Sequence, residues 1–168
     1  MLALYGAHPP ILLGYRDQAL STADFATLTH DVLQAMAAVR PDVVITFGPS
    51  GISGHDDHIT MHRAATEAFH RYRPTAVVAP RLYYVALPPE VAAQFALHLH
   101  PSEMTLSVCV DIAAVKPIKL QGLRAYRSQP DAQELAGLLA SDHFSHEWFY
   151  QAYPVLSLTA SPARGFWT

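Results

Sequence analysis

Cysteine is nearly absent from this sequence. One thiol in 168 residues, Cys109, excludes an internal disulfide framework. Its place in the apolar alternation TLSVCV reads as a buried structural thiol and not as a nucleophile. A reducing, cytoplasmic setting fits that count. Charge is sparse as well: 15% of residues are charged, the net charge is −3, and the pI is near 6.3. Such a chain has no basic field for a phosphate backbone, so no nucleic acid partner is expected. No apolar run approaches the roughly 20 residues of a membrane span, so none is expected. The opening stretch MLALYGAHPPILLGY has no positively charged leader with an apolar segment and a small-residue cleavage site, which reads against a signal peptide. Repeats, low-complexity stretches and a convincing linker are also missing.

What is present is apolar and well patterned. Apolar residues make up 51% of the chain, enough for one folded domain over 1–168. Ile11 to Tyr15 (ILLGY) reads as a short strand. Ser21 offers a helix N-cap, with Asp24 three residues on, before a helix reaching about Val39. Phe25, Leu28, Val32, Met36 and Val39 fall three and four apart and form one apolar stripe, and Pro41 ends it. DVVITF is a continuous β-branched run of the kind buried in a parallel sheet. Helical spacing resumes from His58 to about Arg73 and stops at Pro74. TAVVAP, RLYYVAL and TLSVCVDI read as further strands, and VLSLTA as an edge strand before an irregular tail. PPEVAAQFALHL, Val115 to about Arg127, Asp131 to Ala140, and the region around His146 to Tyr153 read as helices. Alternating strands and helices predict an α/β fold, a three-layer α/β/α Rossmann-like sandwich with a mostly parallel sheet. Ligands of such sheets bind in loops beyond the carboxyl ends of strands, which is where residues 48–57 fall.

That loop concentrates the chemistry. GPSGISGHDDH supplies three glycines and then His55, Asp56, Asp57 and His58. A phosphate-cradling reading fails, because no Lys-Ser/Thr pair follows the glycines and two acids sit at the helix start. His55 and His58, three apart at a strand-to-helix turn, can both face one cavity, and imidazole is the commonest zinc ligand. Asp57 can hold the His55 ring by accepting its Nδ1 proton, or simply cap the helix. A lone aspartate there is usually only a cap; four such groups together favour a functional role. His62, one turn further, could join His55 and His58, with Asp56, as an alternative metal set. It reads better as a surface or supporting group, since no glutamate beside His58 completes a metalloprotease helix.

Several blocks resemble one family. ILLGYRD (11–17), RPDVVITFGPSGISGHDDH (40–58) followed by HRAATEAF, RLYYVALP (81–88) and KLQGLRAYRSQ (119–129) resemble, in order, the LmbE-like (PIG-L) de-N-acetylases. The resemblance implies zinc-dependent hydrolysis of the acetamide of an N-acetylglucosamine-type sugar or glycoconjugate. His58 would be a zinc ligand. His55 would stabilise the oxyanion and protonate the leaving amine as imidazolium, with Asp57 as its carboxylate partner. Arg16 lies where a polar substrate could be held, with a structural salt bridge as the plain alternative. Asp56 stands where the family usually has proline, and Tyr126 where many members carry histidine.

One departure is larger. Family members begin with a strand ending in His-Pro-Asp-Asp, which supplies two more zinc ligands and the general base. AHPP at 7–10 has no aspartates and directly precedes the next family block. The expectation is therefore a member without its first βαβ portion, with weak zinc binding, little hydrolysis, and an exposed sheet edge that favours a homo-oligomer or another partner. A non-catalytic sugar-binding or interaction module is the alternative.

Overall fold

The computed structural model describes residues 2–127, 130–141, 144–156 and 161–166. The chain forms an α/β fold around a four-stranded sheet of order β1-β2-β4-β3, with β1 at Val43–Thr46, β2 at Arg81–Ala86, β3 at Val108–Asp111 and β4 at His146–Tyr153. β1 and β2 pair in parallel, whereas β2 and β4 pair antiparallel. The mostly parallel sheet that was expected is thus met at the pair that carries the histidine loop, and the β2-β4 pair departs from it.

Helix α1 spans Phe25–Val39. Its cap is Asp24 and not Ser21, because the Asp24 carboxylate accepts the Thr27 N–H (2.8 Å) and hydroxyl (2.6 Å). Arg40 closes it in the left-handed region, φ 53°, directly before Pro41. A single kinked turn, α2, occupies Gly51–Gly54, and α3 follows over Asp56–Tyr72. Leu28 and Met36 of the α1 stripe are buried, while Phe25 and Val39 at its ends are exposed. Met36, Ala68, Phe69, Tyr72, Leu82 and Tyr84 form the core between α1, α3 and β2. Burying each large side chain contributes about 1.5–3 kcal/mol, so this cluster fixes the C-terminal half of α3 against α1 and β2. Helices α4 (Pro89–Gln94) and α5 (Lys116–Arg124) are shorter than the sequence predicts, whereas α6 (Pro130–Leu139) has the expected length, begun one residue earlier.

Three expectations are corrected. Residues 11–15 and 76–80 form no strand, and 146–153 is a strand where a helix was expected. The expected VLSLTA strand lies mostly outside the described residues.

The chain groups into two compact units, one of Leu13–Cys109 with Trp148–Thr168, the other of Met1–Leu12 with Val110–Glu147. In the second, α5 lies against the Leu2–Tyr5 turn: the Tyr5 hydroxyl abuts Gly122 and donates to the Lys119 carbonyl (3.3 Å). Lys119 also pairs with Glu147 there. The histidine loop lies in the first unit. No helix among the described residues is long and apolar enough to cross a membrane.

Candidate functional site

The loop between β1 and α3 is shaped by two close approaches that only glycine permits. A Cβ on Gly48 would lie 2.2 Å from Glu103 Cγ, and one on Gly51 would lie 2.7 Å from His58 Cβ. Gly51 also needs φ +62°. Ile52 follows at φ 63°, ψ −48°, an outlier for a β-branched residue. Glu103, 0% exposed, holds this turn. Its carboxylate accepts the N–H groups of Ser50 (3.0 Å), Ile52 (3.1 Å) and His100 (3.0 Å), and the Ser50 hydroxyl. Nothing in the sequence pattern marks Glu103, since an acid after Pro101 reads as solvated; His100 in fact forms a capping box with it.

The histidines sit on this platform. The His58 ring donates from Nδ1 to the Gly51 carbonyl (3.1 Å) and stacks on Phe47 at 4.0 Å and 7°. That bond leaves Nε2 with its lone pair, the form a metal-ligating imidazole takes. His55 is the N-cap of α3, and its Nδ1 accepts the Asp57 N–H (3.1 Å). The His55 proton therefore resides on Nε2. The two rings lie 4.9 Å apart, tilted by 33°. One ring thus carries a lone pair at Nε2 and its neighbour a proton.

Asp57 is brought together with His55, but not as the sequence suggested. Both carboxylate oxygens accept backbone N–H groups, from Gln18 (2.7 Å) and Leu20 (3.0 Å), and the His55 Nδ1 contact is to the Asp57 backbone. Asp57 ties the 18–20 segment to the start of α3. Arg16, two residues before Gln18, is exposed, and no salt bridge of Arg16 occurs among the described residues. Asp56 is exposed in the first turn of α3. His62 donates from Nδ1 to the Phe47 carbonyl (2.9 Å) and meets the Tyr84 ring edge-on. Burial lowers its pKa below the ordinary histidine value, against an opposing contribution from the Phe47 carbonyl. Tyr126 belongs to the other unit.

The donor set falls short of a zinc site. Among the described residues no three His, Cys, Asp or Glu side chains gather to hold a metal ion, so the set of His55, His58 and His62 is not formed. A catalytic zinc takes three protein ligands. Two adjacent imidazoles, only one with its lone pair free, do not fit that requirement.

The family model "PIG-L: GlcNAc-PI de-N-acetylase" matches residues 1–69, which include the whole histidine loop. A 1D-myo-inositol 2-acetamido-2-deoxy-alpha-D-glucopyranoside deacetylase from Saccharomonospora viridis is 30% identical over 144 residues, 73% of this chain and 52% of the relative. The deacetylase of the same name from Salinispora arenicola is 30% identical over 169 residues, 88% of this chain and 54% of the relative. This chain spans about half the length of these curated relatives. A conserved protein of Thermus thermophilus shares the fold, with TM-score 0.64 and 25% identity over 96% of this chain and 74% of that one. The chain belongs to the PIG-L (LmbE-like) de-N-acetylase family.

Proposed function

We propose that this chain serves in the hydrolysis of the acetamide of an N-acetylglucosamine-type sugar or conjugate. The observation that carries the reading is the histidine pair, with a lone pair on His58 Nε2 beside a proton on His55 Nε2. A proton donor fixed by a helix cap suits the oxygen of a carbonyl under attack, because its hydrogen bond strengthens as negative charge develops there. His55 fills that part. The imidazolium form would have to give up the Asp57 N–H bond, so the ring acts here as a neutral donor through Nε2. Arg16, exposed beside the anchored 18–20 segment, is the group of this chain suited to hold sugar hydroxyls or an attached anionic group.

Enzymes of this family are in general metal-dependent, and His58 has the form of one ligand. A second and third donor are not supplied by the described residues. That shortfall favours one further reading, a sugar-binding module without hydrolysis.

The test is release of free amine from an N-acetylglucosaminyl-inositol conjugate in excess Zn2+. Slow release is expected, and His55→Ala should lower turnover about 100-fold, the usual cost of one such donor. Carbohydrate affinity untouched by a chelator, together with no amine release under any added metal, would replace the hydrolase reading with the binding one.

A further inference from the structure

We propose that Glu103 is a positioning residue for His58, acting through the single peptide plane between Gly51 and Ile52. The inference rests on the hydrolase reading for its meaning, though not for its test.

A trans peptide points its N–H and C=O in opposite directions. In the Gly51–Ile52 peptide, the N–H points to Glu103 Oε1 at 3.1 Å, and the C=O points to His58 Nδ1 at 3.1 Å. One rigid plane therefore joins a fully buried carboxylate to the imidazole. Every partner of Glu103 can donate: the N–H groups of Ser50, Ile52 and His100, and the Ser50 hydroxyl. A carboxylate is the one side-chain group that offers only acceptors to such a set. Gly48 makes room for it, since any Cβ there would overlap Glu103 Cγ. The acid is itself anchored: its backbone carbonyl accepts the Leu87 N–H just beyond β2, at 2.8 Å.

The plane is held against an alternative. Ile52 at φ 63° is a strained conformation that persists only where its surroundings over-determine it. Rotating the Gly51–Ile52 plane would turn its N–H toward His58, whose Nδ1 would then accept. The ring proton would move to Nε2, and the lone pair there would be lost. Glu103 thus sets the His58 tautomer without touching the substrate.

The primary readout is the His58 tautomer by 15N NMR, at a pH well above the histidine range. His62 is the internal control, because its Nδ1–H goes to the Phe47 carbonyl. The unsubstituted chain should show His58 protonated at Nδ1 and a slowly exchanging Ile52 amide. Glu103→Gln keeps the shape but sets an NH2 group among donors. It should shift the His58 proton to Nε2 and leave His62 unchanged, with the fold intact by circular dichroism. Where amine release is measurable, turnover should fall about 10- to 100-fold with KM unchanged, the usual cost of losing an orienting partner. A His58 ring that stays protonated at Nδ1 in folded Glu103→Gln overturns the proposal. So does a native chain with Nε2–H on His58 or a freely exchanging Ile52 amide, a test that needs no variant. A tautomer that shifts in a chain without hydrolysis supports the positioning role while refuting the hydrolase reading. Hydrolysis with an unmoved tautomer does the reverse.

Discussion

Taken residue by residue, the four ionisable groups that open α3 divide into different tasks. His58 and His55 expose different forms of the same ring, and the difference comes from what each Nδ1 meets: a carbonyl in one case, an N–H in the other. Asp57 meets two N–H groups from a segment nearly forty residues earlier. The expected task of orienting His55 and the observed task of anchoring Gln18 and Leu20 make different predictions. Asp57→Asn would set an NH2 group against one of these part-buried N–H groups, at a cost of about 1 kcal/mol, the low end for an unsatisfied donor. It would also remove a negative charge from the first turn of α3, about 0.3–1 kcal/mol more. Urea denaturation should show the midpoint falling at unchanged slope. A variant as stable as the parent but slower in hydrolysis would restore the orienting role instead.

Among the secondary-structure elements, the β1-loop-α3 unit was legible because its signals are local. Val43 to Thr46 are all β-branched, the glycines mark the turn, and α3 begins two residues before its apolar spacing does, at the acids that favour a helix N-terminus. β4 was not legible. Its inward positions include Gln151, buried because its amide bonds the Tyr83 hydroxyl (2.9 Å) and the Pro154 carbonyl (2.8 Å). A polar residue at a core position hides the two-residue alternation that would have revealed the strand. The opposite error affected ILLGY and TAVVAP, where apolar composition stood in for pairing; Leu12 is 85% and Val77 97% exposed. Glu103 was invisible for the same reason as Gln151. The glycine loop itself yields an internally controlled prediction. Gly51 and Gly54 both have positive φ, but only Gly51 has atoms in the way of a Cβ. Gly54→Ala should cost about 1–2 kcal/mol, the left-handed backbone alone. Gly51→Ala should cost more, because His58 or the start of α3 must also shift. Equal losses in thermal melts would show that the 2.7 Å approach relaxes freely.

For the chain in its entirety, the α/β class followed from alternating elements, yet the antiparallel pairing of β2 with β4 did not, since strand direction is set by contacts more than sixty residues apart. The metal question is equally non-local. Tight zinc binding is a property of a converging set of ligands, not of any one imidazole, and neutral His58 with His55 falls below the three that a catalytic site uses. His55 subtracts further, because its Nδ1 is occupied by the Asp57 N–H and its Nε2 carries the proton. Binding a metal at that ring would require losing one or the other. The purified chain should therefore hold well below one zinc per molecule after exhaustive dialysis, measured by atomic absorption. Zinc retained at one per chain would mean that the histidine loop rearranges to gather donors that stand apart here, and His58→Ala would then have to abolish it.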